Sequence, residues 1–403
     1  MTGTRKLQSF LFLACVFIAI GSQASTINAN SCSATDVQAA INQTSTGDTV
    51  NVPGGSCTWN TVVTLSSSQQ ITLNGGGATI TWGSSGGLSV TPGTSTNTYV
   101  TNFTFNGSFT NGDCPIGFYT STSPLTQTFR FYNNTLNGGN PSSPGTFICV
   151  NGNGPGLFDH NSFSTSHGAD EMLHVLGLGS GNGDGWLDVV PPGGPNMIFL
   201  ENNTFSCSGS TIASAIESYY GSRTVLRYNT FTNAQIDQHG GGGIGARWWE
   251  VYNNNFPDGA PICMRAGSGV IYSNTGSGNI FMLQENGTYP AAYQDGRGQN
   301  ETLDPAYVWL NGGTPLQLNT TGCATPEPNM VELNRDVYNA STGTSLPGTC
   351  SVNQSFWNSS SNTLYRCTSA NTWTQYYQPY TYPHPLAQGN LPSPPSNLIA
   401  TPQ

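Results

Sequence analysis

Phe131-Tyr132-Asn133-Asn134-Thr135-Leu136 is followed along the chain by Phe158-Asp159-His160-Asn161-Ser162-Phe163 and by Leu200-Glu201-Asn202-Asn203-Thr204-Phe205. The phrase returns as Arg227-Tyr228-Asn229-Thr230-Phe231, Val251-Tyr252-Asn253-Asn254-Asn255-Phe256 and Ile271-Tyr272-Ser273-Asn274-Thr275. Each copy ends a short apolar run, and Tyr228, Tyr252 and Tyr272 are 24 and 20 residues apart. A unit of roughly 20–27 residues cannot bury a core of its own, so its copies must stack. Within each unit, runs of Val, Ile, Tyr, Phe and Thr are punctuated by Gly, Asn and Ser, which is β texture. Asn suits a repeated turn because it tolerates left-handed backbone and its amide can bond the same Asn one coil away. The pattern predicts an all-β fold, a single-stranded right-handed parallel β-helix.

Arg5 and Lys6 precede an apolar stretch, Phe10 to Ile20, which ends in Gly21-Ser22-Gln23-Ala24. This reads as a signal peptide over residues 1–24, too short to span a bilayer comfortably. No later segment approaches membrane-spanning length, so the expected destination is extracellular or the cell surface. Beyond the signal, eight Arg and no Lys stand against 20 acidic residues. That balance, with no basic stripe, excludes nucleic acid as a partner. Charged residues make up 7% of the chain, against about 25% in ordinary globular proteins. Stacking explains the shortage, since a charge repeated on every coil would face its own sign one rung away.

Nine Cys follow the signal. In an oxidising compartment the near pairs Cys32/Cys57 and Cys350/Cys367 are the first disulfide candidates. Cys114, Cys149, Cys207, Cys263 and Cys323 remain, an odd number, so at least one stays outside an intramolecular bridge.

Ser33 to Ile41 reads as a short amphipathic helix with polar capping residues at its start. It leads into Gly47-Asp48-Thr49-Val50-Asn51-Val52-Pro53-Gly54-Gly55 and then a strand near Thr58 to Thr64. A helix, this GDTV-x-VPGG segment and stacked N-x-F coils together resemble the amino-terminal cap and body of the pectate-lyase-like β-helix superfamily. The coils are expected from about Thr64 to Met282, within a body of residues 25–283. Gly/Pro-rich loops interrupt them at Gly138–Gly145 and Gly177–Pro195, the second carrying Asp184, Trp186 and Asp188 as a possible groove wall. After Gln284 the texture changes. Asp304-Pro305-Ala306-Tyr307-Val308-Trp309, Asn334-Arg335-Asp336-Val337-Tyr338 and Tyr380-Thr381-Tyr382-Pro383-His384-Pro385 resemble the carboxy-terminal end of secreted bacterial β-helix proteins. A carboxy-terminal cap is therefore expected over 284–390, with a hairpin pinned by Cys350 and Cys367, and a Pro-rich tail over 391–403. The resemblance implies a fold more firmly than a chemistry, because one scaffold carries many functions.

Four strands that follow the Asn phrases can be laid in register on Leu173, Ile216, Ile236 and Ile262 as inward residues. One outward column then reads His174, Glu217, Asp237, Cys263, and the next reads Leu176, Tyr219, His239, Arg265. Glu217 above Asp237 is a like-charge stack, which calls for a cation such as Ca²⁺, a shared proton or a nearby Arg. Arg223 and Arg247, each five residues before a repeated Tyr, are the arginines expected at one corner, as substrate anchors or as plain ion-pair partners of the two carboxylates. Of Trp248 and Trp249, alternation sends one outward, and Trp248 is the candidate to stack on a sugar ring.

In polysaccharide lyases of the resembled superfamily, Ca²⁺ or Arg neutralises a uronate carboxylate while Arg or Lys abstracts the adjacent proton. That resemblance implies Arg265 as base, with His239 as alternative, Glu217 and Asp237 as Ca²⁺ ligands, and Arg223, Arg247, Tyr219 and Trp248 as substrate contacts. The leading expectation is a secreted lyase-like protein acting on an acidic polysaccharide by β-elimination. A non-catalytic adhesin or carbohydrate-binding solenoid is the second. A glycoside hydrolase is the third, since the Asn-x-Asp and Asp-Asp signatures of the polygalacturonase-like group are missing. His384, between two prolines, reads as a docked tail residue.

Overall fold

The computed structural model describes residues 24–107, 114–120, 127–138, 145–168, 171–177, 191–240, 245–284, 295–297 and 302–388. The expected signal peptide, the tail, and Asp184, Trp186 and Asp188 lie outside the described residues.

Short strands of three to seven residues alternate around three faces and pair only with their counterparts in the coils before and after. Ile198–Glu201, Thr204–Cys207 and Ala213–Tyr219 make one such coil, and Arg223–Arg227 opens the next. Among the described residues this gives parallel sheets of twelve, ten and seven strands, the right-handed parallel β-helix. Strands this short cannot stand alone, and the parallel ladder through the stack satisfies their backbone groups.

The interior is filled by columns of inward apolar residues, such as Ile80, Phe105, Leu136 and Phe163. Phe163, Phe205, Phe231 and Phe256 form a continuous stack with ring centroids 4.7, 5.1 and 4.9 Å apart, the offset geometry that aromatic quadrupoles favour. The helix Ala34–Ile41 closes the amino-terminal end. Ser33 caps it by accepting from the Asp36 amide at 3.2 Å, and Val37 and Ile41 are fully buried.

The turn that carries the Asn phrase divides its work between two adjacent positions. Asn102, Asn133, His160, Asn202, Tyr228, Asn253, Ser273 and Leu310 hold the left-handed backbone. The residue after most of these is a buried Asn: Asn134, Asn161, Asn203, Asn229, Asn254, Asn274 and Asn311. From Asn161 onward each Oδ1 accepts from the backbone N–H and the amide of the Asn one coil earlier, as Asn229 does from Asn203 at 2.9 and 3.0 Å, while Asn134 accepts from the Phe103 N–H. The expectation that one Asn does both jobs is thereby corrected.

The Tyr spacing is corrected with it. Tyr228 occupies the left-handed position, so Arg227, and not Tyr228, lies in register with Tyr252 and Tyr272.

The outer face of the seven-stranded sheet carries Thr79, Thr104, Thr135, Ser162, Thr204 and Thr230 in one column. Thr81, Asn106, Asn137, Ser164, Ser206 and Thr232 form the next. Among the described residues no charge is stacked on that face, as the repulsion argument requires.

The outer face of the twelve-stranded sheet is different. A four-stranded sheet, Ser341–Gly343, Ser355–Asn358, Thr363–Ser369 and Thr372–Tyr377, precedes a segment running to residue 388. Trp357, Leu364 and Tyr377 pack there on Phe199, Val225, Trp248, Tyr252, Tyr272 and Trp309. Beneath this cover Arg130 pairs with both oxygens of Asp159 at 2.7 Å, and Arg227 pairs with Glu201. Arg227 also donates to the carbonyls of Tyr380 and Thr381 at 2.6 and 2.7 Å. His384 is buried against Phe199, and its backbone N–H donates to Glu201. Burial and the nearby arginines push its imidazole down to about 4.

The coils do not stop near residue 283. Ala306–Trp309, Leu316–Leu318 and Val337–Asn339 extend the parallel sheets, so the repeat reaches into the segment expected to be a cap. Disulfides join Cys32–Cys57, Cys114–Cys149, Cys263–Cys323 and Cys350–Cys367, while Cys207 is buried outside any of them. Four bridges are compatible with an oxidising compartment. Among the described residues no helix is long and apolar enough to cross a membrane.

Candidate functional site

Four rungs of the ten-stranded sheet carry the site. Ile216 pairs with Ile236 and Ile236 with Ile262, all three fully buried. Their outward neighbours fall into line as His174, Glu217, Asp237 and Cys263. Cys263 is bridged to Cys323, and beyond it the column continues as Phe281 and Gln317. Two residues along, Leu176 pairs with Tyr219, and His239 and Arg265 follow on the next coils through backbone bonds to Ser218 and Gln238. A register shift between Ser214 and Ile216 sits beside the cluster, a place where bulges re-aim side chains.

Arg265 grips Asp237 with two bonds, Nε to Oδ1 at 2.9 Å and Nη2 to Oδ2 at 2.8 Å. The same Nη2 lies 3.5 Å from Glu217 Oε1. The like-charge stack is thus relieved by a guanidinium between the two carboxylates. Glu217 Oε1 also accepts from the Tyr219 hydroxyl at 2.5 Å and lies 3.6 Å from His239 Nε2. The His239 ring stacks on Tyr219 with centroids 4.0 Å apart, and His174 leans on the other side at 4.9 Å.

Glu171 completes the group. Its Oε2 is 3.2 Å from His174 Nδ1 and accepts from Thr146 Oγ1 at 3.1 Å. It shares a hydrogen bond with Glu217. Burial, then this neighbouring carboxylate, pushes Glu217 up to about 7, against the opposing pull of Tyr219 and Arg265. A carboxyl group raised this far keeps its proton well above the ordinary carboxylate range. Burial and the Glu217 charge hold Tyr219 as a neutral phenol, and burial lowers His174 so that its ring stays neutral. Glu171 belongs to neither outward column read from the sequence; its place near Glu217 depends on the rung-to-rung register.

Three expectations do not survive the geometry. Arg223 pairs in the ladder with Trp248, not with Arg247, so the two arginines are offset by one residue. Arg247 bonds the Asp304 carboxylate at 3.1 Å, whereas the partner of Glu217 and Asp237 is Arg265. Trp248 does face away from the solenoid axis, but it is 1% exposed and donates to Glu250 at 3.1 Å beneath the carboxy-terminal cover. It has no face free for a sugar.

Calcium takes six to eight oxygens. Both oxygens of Asp237 are engaged by Arg265, and no group of three or more His, Cys, Asp or Glu among the described residues could hold a metal ion. The pair does not fit Ca²⁺, and no step is routed through it. The bidentate ion pair likewise keeps the proton on Arg265, against a role for that residue as base. His239 places Nε2 3.6 Å from Glu217 Oε1, so that a carboxyl group orients the ring as a positioned base requires.

No family model matches the sequence, and no curated protein does. Among solved structures the chain is similar to a PL6 family alginate lyase, AlyGC, at 13% identity and a TM-score of 0.36. That likeness covers 89% of this chain and 57% of the lyase.

Proposed function

We propose that the protein is a secreted polysaccharide lyase that cleaves an acidic glycan by β-elimination at the Glu217–Tyr219–His239 cluster. The observation that carries the reading is a phenol donating to a carboxyl group that still holds a proton near neutrality, with an imidazole stacked on the phenol. His239 takes the proton from the carbon next to the uronate carboxyl. Tyr219 gives its proton to the departing glycosidic oxygen as the carbon–oxygen bond breaks, leaving a carbon–carbon double bond. Glu217 then returns a proton to the phenolate, and the imidazolium of His239, whose Nε2 lies 3.6 Å from Glu217 Oε1, passes the proton taken from the substrate to the emptied carboxylate, so that all three groups are restored.

A hydrolytic reading fits less well. Glycosidase carboxyls stand about 5–9.5 Å apart with room for sugar or water between them. Here Glu171 touches Glu217, and Asp237 is pinned by Arg265.

The test is incubation of the protein with pectate, alginate and glycosaminoglycans while following ultraviolet absorbance of the unsaturated uronate. Absorbance should rise with at least one polymer, persist in a chelator, and vanish in Tyr219→Phe. Reducing ends without absorbance would promote hydrolysis. Binding without either product would make the chain a carbohydrate-binding solenoid.

A further inference from the structure

A second hollow lies far along the chain from the cluster, where the last solenoid strand, Val337–Asn339, meets the four-stranded sheet. Its volume is about 590 Å³, and its walls include Tyr338, Asn339, Asn353, Gln354, Ser355 and Trp373. Junctions between structural units are favoured places for small-ligand sites, and the size lies within the usual range of about 300–1,000 Å³.

The lining chemistry narrows the ligand. Asn, Gln, Ser and Thr predominate, and the Tyr338 phenol is the only ionisable side chain on the walls. An ionic ligand would shed water there without meeting a counter-charge. An apolar ligand would strand the amides. A molecule dense in hydroxyls satisfies both donors and acceptors. Trp373 adds a half-buried indole, held in place because its Nε1 donates to the Pro347 carbonyl at 2.9 Å. An indole face of this kind stacks on the apolar face of a sugar ring.

The hollow is also built rather than incidental. The Cys350–Cys367 disulfide and the Arg366 bond to Asn353 Oδ1 at 3.1 Å fix one wall.

We infer that this hollow is a binding subsite for an uncharged saccharide, separate from the proposed lyase site and not dependent on it. The experiment titrates the full chain with neutral oligosaccharides of β-1,4-glucan, β-1,4-mannan, α-1,4-glucan and galactan by calorimetry. Charged uronate oligomers run alongside, and Tyr219→Phe serves as a control. At least one neutral series should bind, unchanged in Tyr219→Phe and weakened about tenfold or more in Trp373→Ala. Because Trp373 also packs locally, the double variant Asn339→Ala/Gln354→Ala, which alters exposed side chains, should weaken the same ligand severalfold. No heat from any neutral sugar, or binding untouched by both wall variants, overturns the inference.

Discussion

The Tyr219 hydroxyl donates to Glu217 Oε1 at 2.5 Å, and that carboxyl group holds its proton up to about 7. A phenol in this position cannot shed its proton to bulk water, since burial and the adjacent charge raise it. It can pass the proton to a leaving group and be resupplied by Glu217. Turnover on a uronate polymer should therefore fall as pH rises through about 7, because the Glu217 proton is then lost. A pH–rate profile of Glu217→Gln, which cannot ionise, should lack that limb; the same limb in both proteins would refute the assignment.

The same shift bears on stability. Glu217 has a folded value above its ordinary 4.5, so the native state binds more protons than the unfolded chain between 4.5 and about 7. Stability contributed by this group is complete below 4.5 and is lost as pH rises toward 7. Urea midpoints measured across that window should decline more steeply for the wild type than for Glu217→Gln.

Replacing Tyr219 with Phe removes the acid but keeps the ring between His174 and His239. The expected loss in kcat is roughly a hundredfold or more, the usual range for a positioned acid, with little change in KM. Steady-state kinetics on the best polymer gives the answer. An unchanged kcat would remove Tyr219 from the reaction.

How much of this was legible beforehand follows from periodicity. His174, Glu217 and Asp237 fell into one column because Leu173, Ile216 and Ile236 alternate with them, and a period of two leaves one outward choice. Arg265 falls in the same patch for the same reason, though Arg223 and Arg247 are the arginines the sequence suggests for neutralising the carboxylates. The failures share another cause. Tyr228 looked like a rung of the Tyr ladder because the left-handed and ladder positions are adjacent, and a one-residue slip is invisible where both favour Asn. Trp248 looked available because nothing local says that residues after 340 fold back over its sheet. The coils beyond residue 283 were missed because Tyr272 and its stacking partner Trp309 stand 37 residues apart, well outside the repeat.

The Asn ladder invites a direct test. Asn229→Leu would deprive Asn203 of the acceptor for both its N–H and its amide. A buried group left unpaired costs about 1–3 kcal/mol, so about 3 kcal/mol is expected for the two together. Equilibrium urea unfolding would show it, and a change below about 1 kcal/mol would mean the turn repacks without the ladder.

Asp159 and Glu201 are fully buried on neighbouring rungs of the twelve-stranded sheet, a second like-charge stack, with Arg130 and Arg227 bound to them. The cover formed by residues 380–386 completes this network through the Tyr380, Thr381 and Leu386 carbonyls. Removing one member of such a buried pair leaves an uncompensated charge, at about 3–5 kcal/mol. Arg227→Met should therefore destabilise the protein by that order and loosen the cover, which limited proteolysis after residue 377 would report. Adding Glu201→Gln should recover part of the loss, because the stranded carboxylate is gone and Asp159 keeps Arg130. Neither variant touches the ten-stranded sheet that carries Tyr219 and Glu217, so kcat at a temperature where both remain folded should match the wild type. A loss of kcat in the folded double variant would show that the two outer faces are coupled, contrary to the separation of roles argued from their sheets.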